Sequence, residues 1–177
     1  MSDGSSLELM VHPRVPMPYV QAIGPLAALA ICEQAGGDAQ ILWPKSVLLG
    51  GKPYARVFVD AGYEEGIYAR VSVAFDDACA DADAVAKAIR ERFDAWEDAV
   101  RAGRAAAGPI APFASDYFDC MAGLDTTVEL LFPNGNVYCT AQLEGIDVWC
   151  RICVELDDGR DAEYSPEQVS LRLLPSN

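Results

Sequence analysis

The sequence predicts an α+β fold: a sheet flanked by packing helices, followed by a small all-β unit. Three observations carry this reading. Two β-patterned runs, 54–60 and 67–74, alternate residue by residue between apolar and polar side chains. Two helical patterns flank them, one apolar almost all round before the runs and one with a single apolar stripe after them. Beyond residue 126 the pattern changes to short strands separated by turn signals.

Leu7 to Val11 reads as a strand, and the proline-rich His12–Pro18 stretch as extended chain or loop. His12 is the only histidine, placed before a proline, and reads as a surface residue. A single histidine removes most metal constellations and every Ser-His-Asp or Cys-His scheme that needs a second one. No catalytic residue and no metal ligand is assigned. A helix starts near Pro25, a favoured first-turn residue, and stops at Gly36-Gly37. Its apolar residues lie all round, so it belongs between layers.

Leu42 to Val73 organises the chain. It reads as a strand ending at Pro44, an apolar run Val47-Leu48-Leu49, a Gly50-Gly51 turn, and the two longer runs joined by the loop Ala61-Gly62-Tyr63-Glu64-Glu65. Side chains flip faces at every strand residue, so Tyr54, Arg56, Phe58 and Asp60 share one face, and Tyr68, Arg70 and Ser72 share one in the next strand. A hairpin with residue 60 opposite 66 sets Arg56 across from Arg70. Like charges so placed destabilise a sheet unless a negative group lies between them. Each arginine therefore needs a carboxylate, such as Asp60 or Glu8, or a bound phosphate- or carboxylate-bearing ligand.

Asp81 or Asp83 caps a second helix reaching about Arg101, with Val85, Ile89, Phe93, Trp96 and Val100 as its stripe. Asp83/Lys87 and Glu97/Arg101 are acid-first pairs four residues apart. The carboxylates Asp76, Asp77, Asp81 and Asp83 lack the glycine turn and terminal glutamate of a calcium loop and read as a solvated helix entry. Residues 104–112 read as a linker. Strands follow at 126–132, 136–143, 148–156 and 168–173, with turn signals Pro133-Asn134-Gly135 and Asp157-Asp158-Gly159. Four or five strands in about 60 residues suggest a small SH3-like β-barrel. The chain divides into domains at 1–110 and 111–177.

Composition bounds the function. The 177 residues hold 27 acidic and 13 basic side chains, a net charge of −14. That field repels phosphate backbones, and no basic patch offsets it, so nucleic acid is not an expected partner. No apolar run approaches the roughly 20 residues that span a bilayer, and no signal-peptide pattern opens the chain. A cytoplasmic protein without membrane association is the expectation. The six cysteines fall in apolar or strand-like segments and read as reduced, buried thiols. Cys150 and Cys153 form a CxxC, but on a strand they point to opposite faces. A hairpin centred on Ile146 sets Cys139 opposite Cys153, as two small buried residues or as a contact or disulfide.

The order and spacing of these pieces resemble biotin protein ligases of the biotin/lipoate ligase superfamily. The family's K-W-P-N-D segment has its counterpart in Leu42-Trp43-Pro44-Lys45-Ser46. Its G-x-K-x-x-G-I strand corresponds to Gly51 through Val57, and its G-x-G-I-N strand to Tyr68-Ala69-Arg70-Val71-Ser72. The G-x-x-x-G-I-D-x-x-G pattern of the family's C-terminal domain appears as 141–150, and its closing G-E-V-S-L-R as 167–172. The resemblance implies a partial mixed sheet with packing helices, followed by the SH3-like barrel.

It also implies a chemistry, joining biotin to AMP from ATP and passing it to a carrier lysine. That chemistry needs fixed cations and backbone room. The family's basic loop, G-R-G-R-x-G, does not occur in this sequence, and Leu7–Val11 matches the strand that follows it. The motif's Asn and Asp are Lys45 and Ser46. The strand lysine falls at Pro53, or at Lys52 after a one-residue slip. The glycines that leave room for the ligand become Arg56, Tyr68 and Arg70, the final Asn becomes Ser72, and Arg172 alone survives in kind. The degenerate ligand-binding set is therefore Trp43, Lys45, Lys52, Arg56, Tyr68, Arg70, Ser72 and Arg172.

Three readings follow. The first is a non-catalytic ligase-like scaffold that binds a partner or a small anionic ligand, with no cofactor. The second is the C-terminal half of a split ligase, using biotin and ATP only with a separate G-R-G-R-x-G chain. The third is a stand-alone biotin or lipoate ligase. Uncovered sheet edges and apolar patches are ordinarily managed by pairing, so a homodimer or a complex with a second chain is expected.

Overall fold

A computed structural model of the chain describes residues 6–76 and 80–175. Its two sheets are antiparallel and five-stranded. The first has the order β1-β5-β4-β3-β2, built from Ser6–Val11, Ile67–Phe75, Lys52–Tyr63, Ser46–Leu49 and Ala39–Leu42. The second has the order β10-β6-β7-β8-β9, from Ser170–Leu173, Thr127–Leu131, Val137–Ile146, Ile152–Leu156 and Asp161–Tyr164. The α+β class is as expected, but the first sheet, expected to be mixed, pairs antiparallel throughout its named strands. The second sheet winds so that its last strand lies beside its first, but no closed barrel is found among the described residues.

Helix α1, Ile23–Ala35, is buried from Ile23 through Cys32, which explains its apolar composition. It stops at Gly36, whose φ of 62° suits glycine. The segment Met17–Ala22, whose first two residues were expected as extended chain or loop, is a 3-10 turn with a proline in its first positions that runs directly into α1. Helix α2, Ala82–Arg101, is capped by Asp81, whose side chain accepts from Ala84 N at 3.0 Å. Val85, Ile89, Phe93 and Trp96 form its buried stripe. Its surface ion pairs differ from the expected ones: Lys87 meets Glu91 at 3.7 Å, and Arg101 meets Asp98 at 2.7 Å. A lysine's flexible stem reaches a carboxylate one turn on as readily as one turn back. Asp77 and Cys79 lie outside the described residues.

The expected linker is a packed connector. Ala105, Gly108, Pro109 and Ile110 are buried, and the Pro109 carbonyl accepts the Trp96 indole N–H at 2.8 Å. A short helix unforeseen in the sequence, α3 (Ala114–Cys120), follows it. Arg92 joins all three helices: it contacts Glu33 of α1, lies 3.4 Å from Asp116 of α3, and stands 4.7 Å over the Phe113 ring. One hydrophobic cluster runs from Leu9 through the helices to Leu171, continuous across both sheets. No helix among the described residues is long and apolar enough to cross a membrane.

Two expected registers are corrected. The β4–β5 hairpin pairs Asp60 with Arg70 and Arg56 with Ala74, so the arginines are not opposite each other. Most of the supposed loop is strand: Ala61, Gly62 and Tyr63 continue the ladder, and the turn shrinks to Glu64-Glu65-Gly66, with Glu65 at φ 54° and Gly66 at φ 141°. Likewise β7 extends to Ile146 before turning. Cys153 therefore pairs with Gly145, Cys139 pairs with Leu130, and both thiols are free.

Candidate functional site

The first sheet has one face against the helices and one turned outward. Alternation puts Leu9, Val57, Ala69, Val71 and Val73 inside. The outward face carries Glu8 and Met10 from β1, Tyr68, Arg70 and Ser72 from β5, and Arg56, Phe58 and Asp60 from β4, in the cross-strand rows Glu8–Ser72–Phe58 and Met10–Arg70–Asp60. Four of the eight residues singled out in the sequence, Arg56, Tyr68, Arg70 and Ser72, thus share one surface.

Their charges are met within the fold. Arg56 Nη2 bonds Asp76 Oδ1 at 3.2 Å. Arg70 Nε stands 3.8 Å from Glu8 Oε1, with Asp60 directly across the ladder. Glu8 is one of the two carboxylates the sequence offered, while Asp76, already noted there as part of the helix entry, serves the other arginine. The half-buried Tyr68 lies across Gly62 on the neighbouring strand. A Cβ at Gly62 would sit 2.6 Å from the tyrosine oxygen, so that glycine gives the ring its place. The pairing of a glycine with an aromatic residue was the signal in the sequence, but it is readable only once the register is known.

The other four residues lie elsewhere. Trp43 is a core residue whose indole N–H donates to the Cys150 carbonyl at 2.9 Å, tying the first sheet's loop to the second sheet. Tyr117 reinforces this junction by donating to the Pro44 carbonyl at 2.9 Å. Lys52 is exposed at the start of β4. Arg172 is on β10, paired with Glu129 of β6 through Nε at 2.6 Å and Nη2 at 2.5 Å. Lys45 lines a cleft of about 220 Å³ between the start of α1, the Trp43–Lys45 loop and the second sheet's loops, together with Val59, Trp149 and Glu167.

No thiol among the described residues is an activated nucleophile. Burial, then the neighbouring Asp147, pushes Cys150 up to about 12. Cys32 is raised to about 12, first by burial and then by Cys120, and Cys153 to about 11, mainly by burial. Such thiols stay protonated near neutral pH and are poor attackers. Glu144, Glu155 and Asp161 bring carboxylates within 4.8 Å of one another on neighbouring strands, but all three are exposed.

No protein-family model matches the sequence, and no curated protein matches it either. Solved structures do. The apo biotin protein ligase of Aquifex aeolicus superposes with a TM-score of 0.70 at 14% identity, over 96% of this chain and 82% of that one. The same organism's ligase in complex with biotin and ATP gives 0.65 at 14%, over 96% and 78%. A biotin protein ligase-like protein of unknown function from Silicibacter gives 0.63 at 11%, over 93% and 79%. At these identities the likeness is one of fold. The chain has a biotin protein ligase-like fold, with an outward sheet face built from arginine, tyrosine and phenylalanine.

Proposed function

We propose that this chain is a non-catalytic biotin protein ligase-like protein that acts as a binding scaffold. The observation that carries the reading is the outward face of β4 and β5. Arg56, Tyr68 and Arg70 stand where the resemblance puts glycines, and their side chains occupy the space above the strands. The two arginines are also engaged by Asp76 and Glu8, so neither is a free cation awaiting a phosphate. Adenylation requires donors already aimed at the developing charge, and losing one typically costs about 3–4 kcal/mol of barrier. Here several positions change at once. Exposed Met10 and Phe58 on the same face, beside the edge strand β1, suit a protein partner, either a second copy of the chain or a separate polypeptide. In this reading the second sheet is the SH3-like unit, an idea supported by Tyr164 of β9 reaching Tyr138 of β7 across the intervening strand, oxygen to oxygen at 3.3 Å.

A second reading, half of a split ligase, is favoured by the cations that persist at Lys45, Lys52 and Arg172. Exchange of label between pyrophosphate and ATP separates the two. With biotin or lipoate and magnesium, the chain alone gives no exchange above background. Acid-dependent exchange by the chain alone contradicts the scaffold reading. Exchange that appears only after adding a G-R-G-R-x-G polypeptide moves the answer to the split ligase.

A further inference from the structure

Two exposed features of the chain complement each other, and because both stay exposed, neither covers the other within one molecule. The first is an aromatic surface on the second sheet. Phe132 and Tyr138, each 42% exposed, flank the β6–β7 turn with ring centroids 4.8 Å apart. Tyr164 of β9 meets Tyr138 edge-on at 5.7 Å, which makes the rings one continuous patch. The turn is fixed, since Phe132 N donates to the Asn136 carbonyl at 2.9 Å. A single exposed aromatic residue is ordinary, whereas exposed rings in mutual contact are the kind of patch that binds a partner.

The second is the segment Arg14–Pro18, in which Arg14, Pro16, Met17 and Pro18 are exposed. Pro16 has φ −57° and ψ 140°, near the roughly −75° and +145° of a polyproline II helix. The segment is held from its C-terminal side by Tyr19, whose hydroxyl donates to the Ala105 carbonyl at 2.7 Å and whose ring meets Trp149 edge-on at 5.8 Å. Such a ridge has little conformational entropy left to lose on docking, and proline rings pack well on exposed aromatic side chains. Charge points the same way. Arg14 is exposed without an ion-pair partner among the described residues, and so is Asp157. Asp157 stands beside the patch, accepting from Thr140 Oγ1 at 3.3 Å, and Thr140 is two residues along β7 from Tyr138. We infer that the aromatic surface of one copy docks the Arg14–Pro18 segment of a second copy, with Pro16 and Pro18 on the Phe132 and Tyr138 rings and Arg14 toward Asp157. Surface and segment are different patches, so each molecule gives one and receives one, and association runs head to tail. The contact uses none of the residues of the first sheet's outward face and is independent of the proposed loss of adenylation.

Sedimentation velocity of the full chain tests it. The sedimentation coefficient of the unsubstituted chain rises with concentration between about 5 and 300 µM. Tyr138→Ser, which removes a ring, and the double change Pro16→Ala, Pro18→Ala, which removes the ridge, each weaken association at least tenfold. An equimolar mixture of the two variants regains the affinity but stops at the first contact, because one variant keeps only a segment and the other only a surface. All three substituted positions are exposed, and unchanged urea midpoints show that the variants fold. An unsubstituted chain that stays monomeric to about 300 µM overturns the inference. So does association left unchanged by either variant, or a mixture no tighter than the variants alone. A chain that stays monomeric yet binds an unrelated proline-rich peptide overturns it too, since the occupant is then another protein.

Discussion

The two faces of the first sheet are made by the same strands and behave oppositely. Inward, Val57, Val71 and Val73 are no more than 2% exposed and belong to the cluster under α1 and α2. Outward, one residue away along each strand, Phe58 is 53% exposed and Met10 48%. The inner face answers to packing, where a change of one methylene is felt. The outer face answers to whatever it contacts, and can exchange glycine for arginine without disturbing the core. The likeness to the Aquifex aeolicus ligase at 14% identity is one of fold, and the fold is what the packed inner face holds in place.

Substitutions on the inner side of the molecule should have the largest effects. Trp96 is fully buried and donates to Pro109. Trp96→Ala should cost about 3–5 kcal/mol, read as a lower urea midpoint. A loss below about 1 kcal/mol would mean that the connector after α2 is not packed as described. Alkaline pH should act next. Folded Cys150 and Cys32 are both raised to about 12 from an ordinary value of 9.0, so the native state holds protons that the unfolded chain releases. Their contribution is intact below pH 9.0 and is lost as pH rises toward 12. Unfolding followed across that window should show falling stability, with a shallower fall in Cys150→Ala. An unchanged slope in the variant would show that Cys150 is not buried as a thiol.

Smaller effects are expected at the junction and smaller still outside. Trp43→Phe removes the N–H that meets the buried Cys150 carbonyl and should cost about 1–3 kcal/mol. Arg70→Ala, at a half-exposed pair 3.8 Å long, should cost less than about 1 kcal/mol and leave the unfolding midpoint nearly unchanged. If Arg70→Ala were as damaging as Trp43→Phe, the distinction between the two faces would fail.

Much of the inner face was legible in the sequence, because burial imposes a period that composition displays. The all-apolar α1, the stripe of α2 and the alternation in β4 and β5 could all be read directly, and the cap of α2 was narrowed to Asp81 or Asp83, of which the structure uses Asp81. The register could not. A period of two fixes which face a residue occupies but not which residue it meets, so Arg56 was set against Arg70 when the ladder gives Arg70 to Asp60. The same ambiguity misplaced Cys139 against Cys153. Short pieces such as α3 were missed because seven residues hold too few turns to show a period. At the candidate site, the shared face of Tyr68, Arg70 and Ser72 was readable from alternation. The burial of Trp43 against Cys150, 107 residues away, depends on tertiary packing that no local pattern encodes.

The central claim is that the outward face of β4 and β5 no longer admits the ligands that the resemblance implies. Titrating biotin, lipoate and ATP with magnesium into the isotope-labelled chain tests it most directly, with the amides of Arg56, Phe58, Tyr68, Arg70 and Ser72 as reporters. The account predicts no saturable shift at any of the five. Saturable micromolar binding by any of the three ligands, confined to those amides and removed by Arg70→Ala, would contradict it.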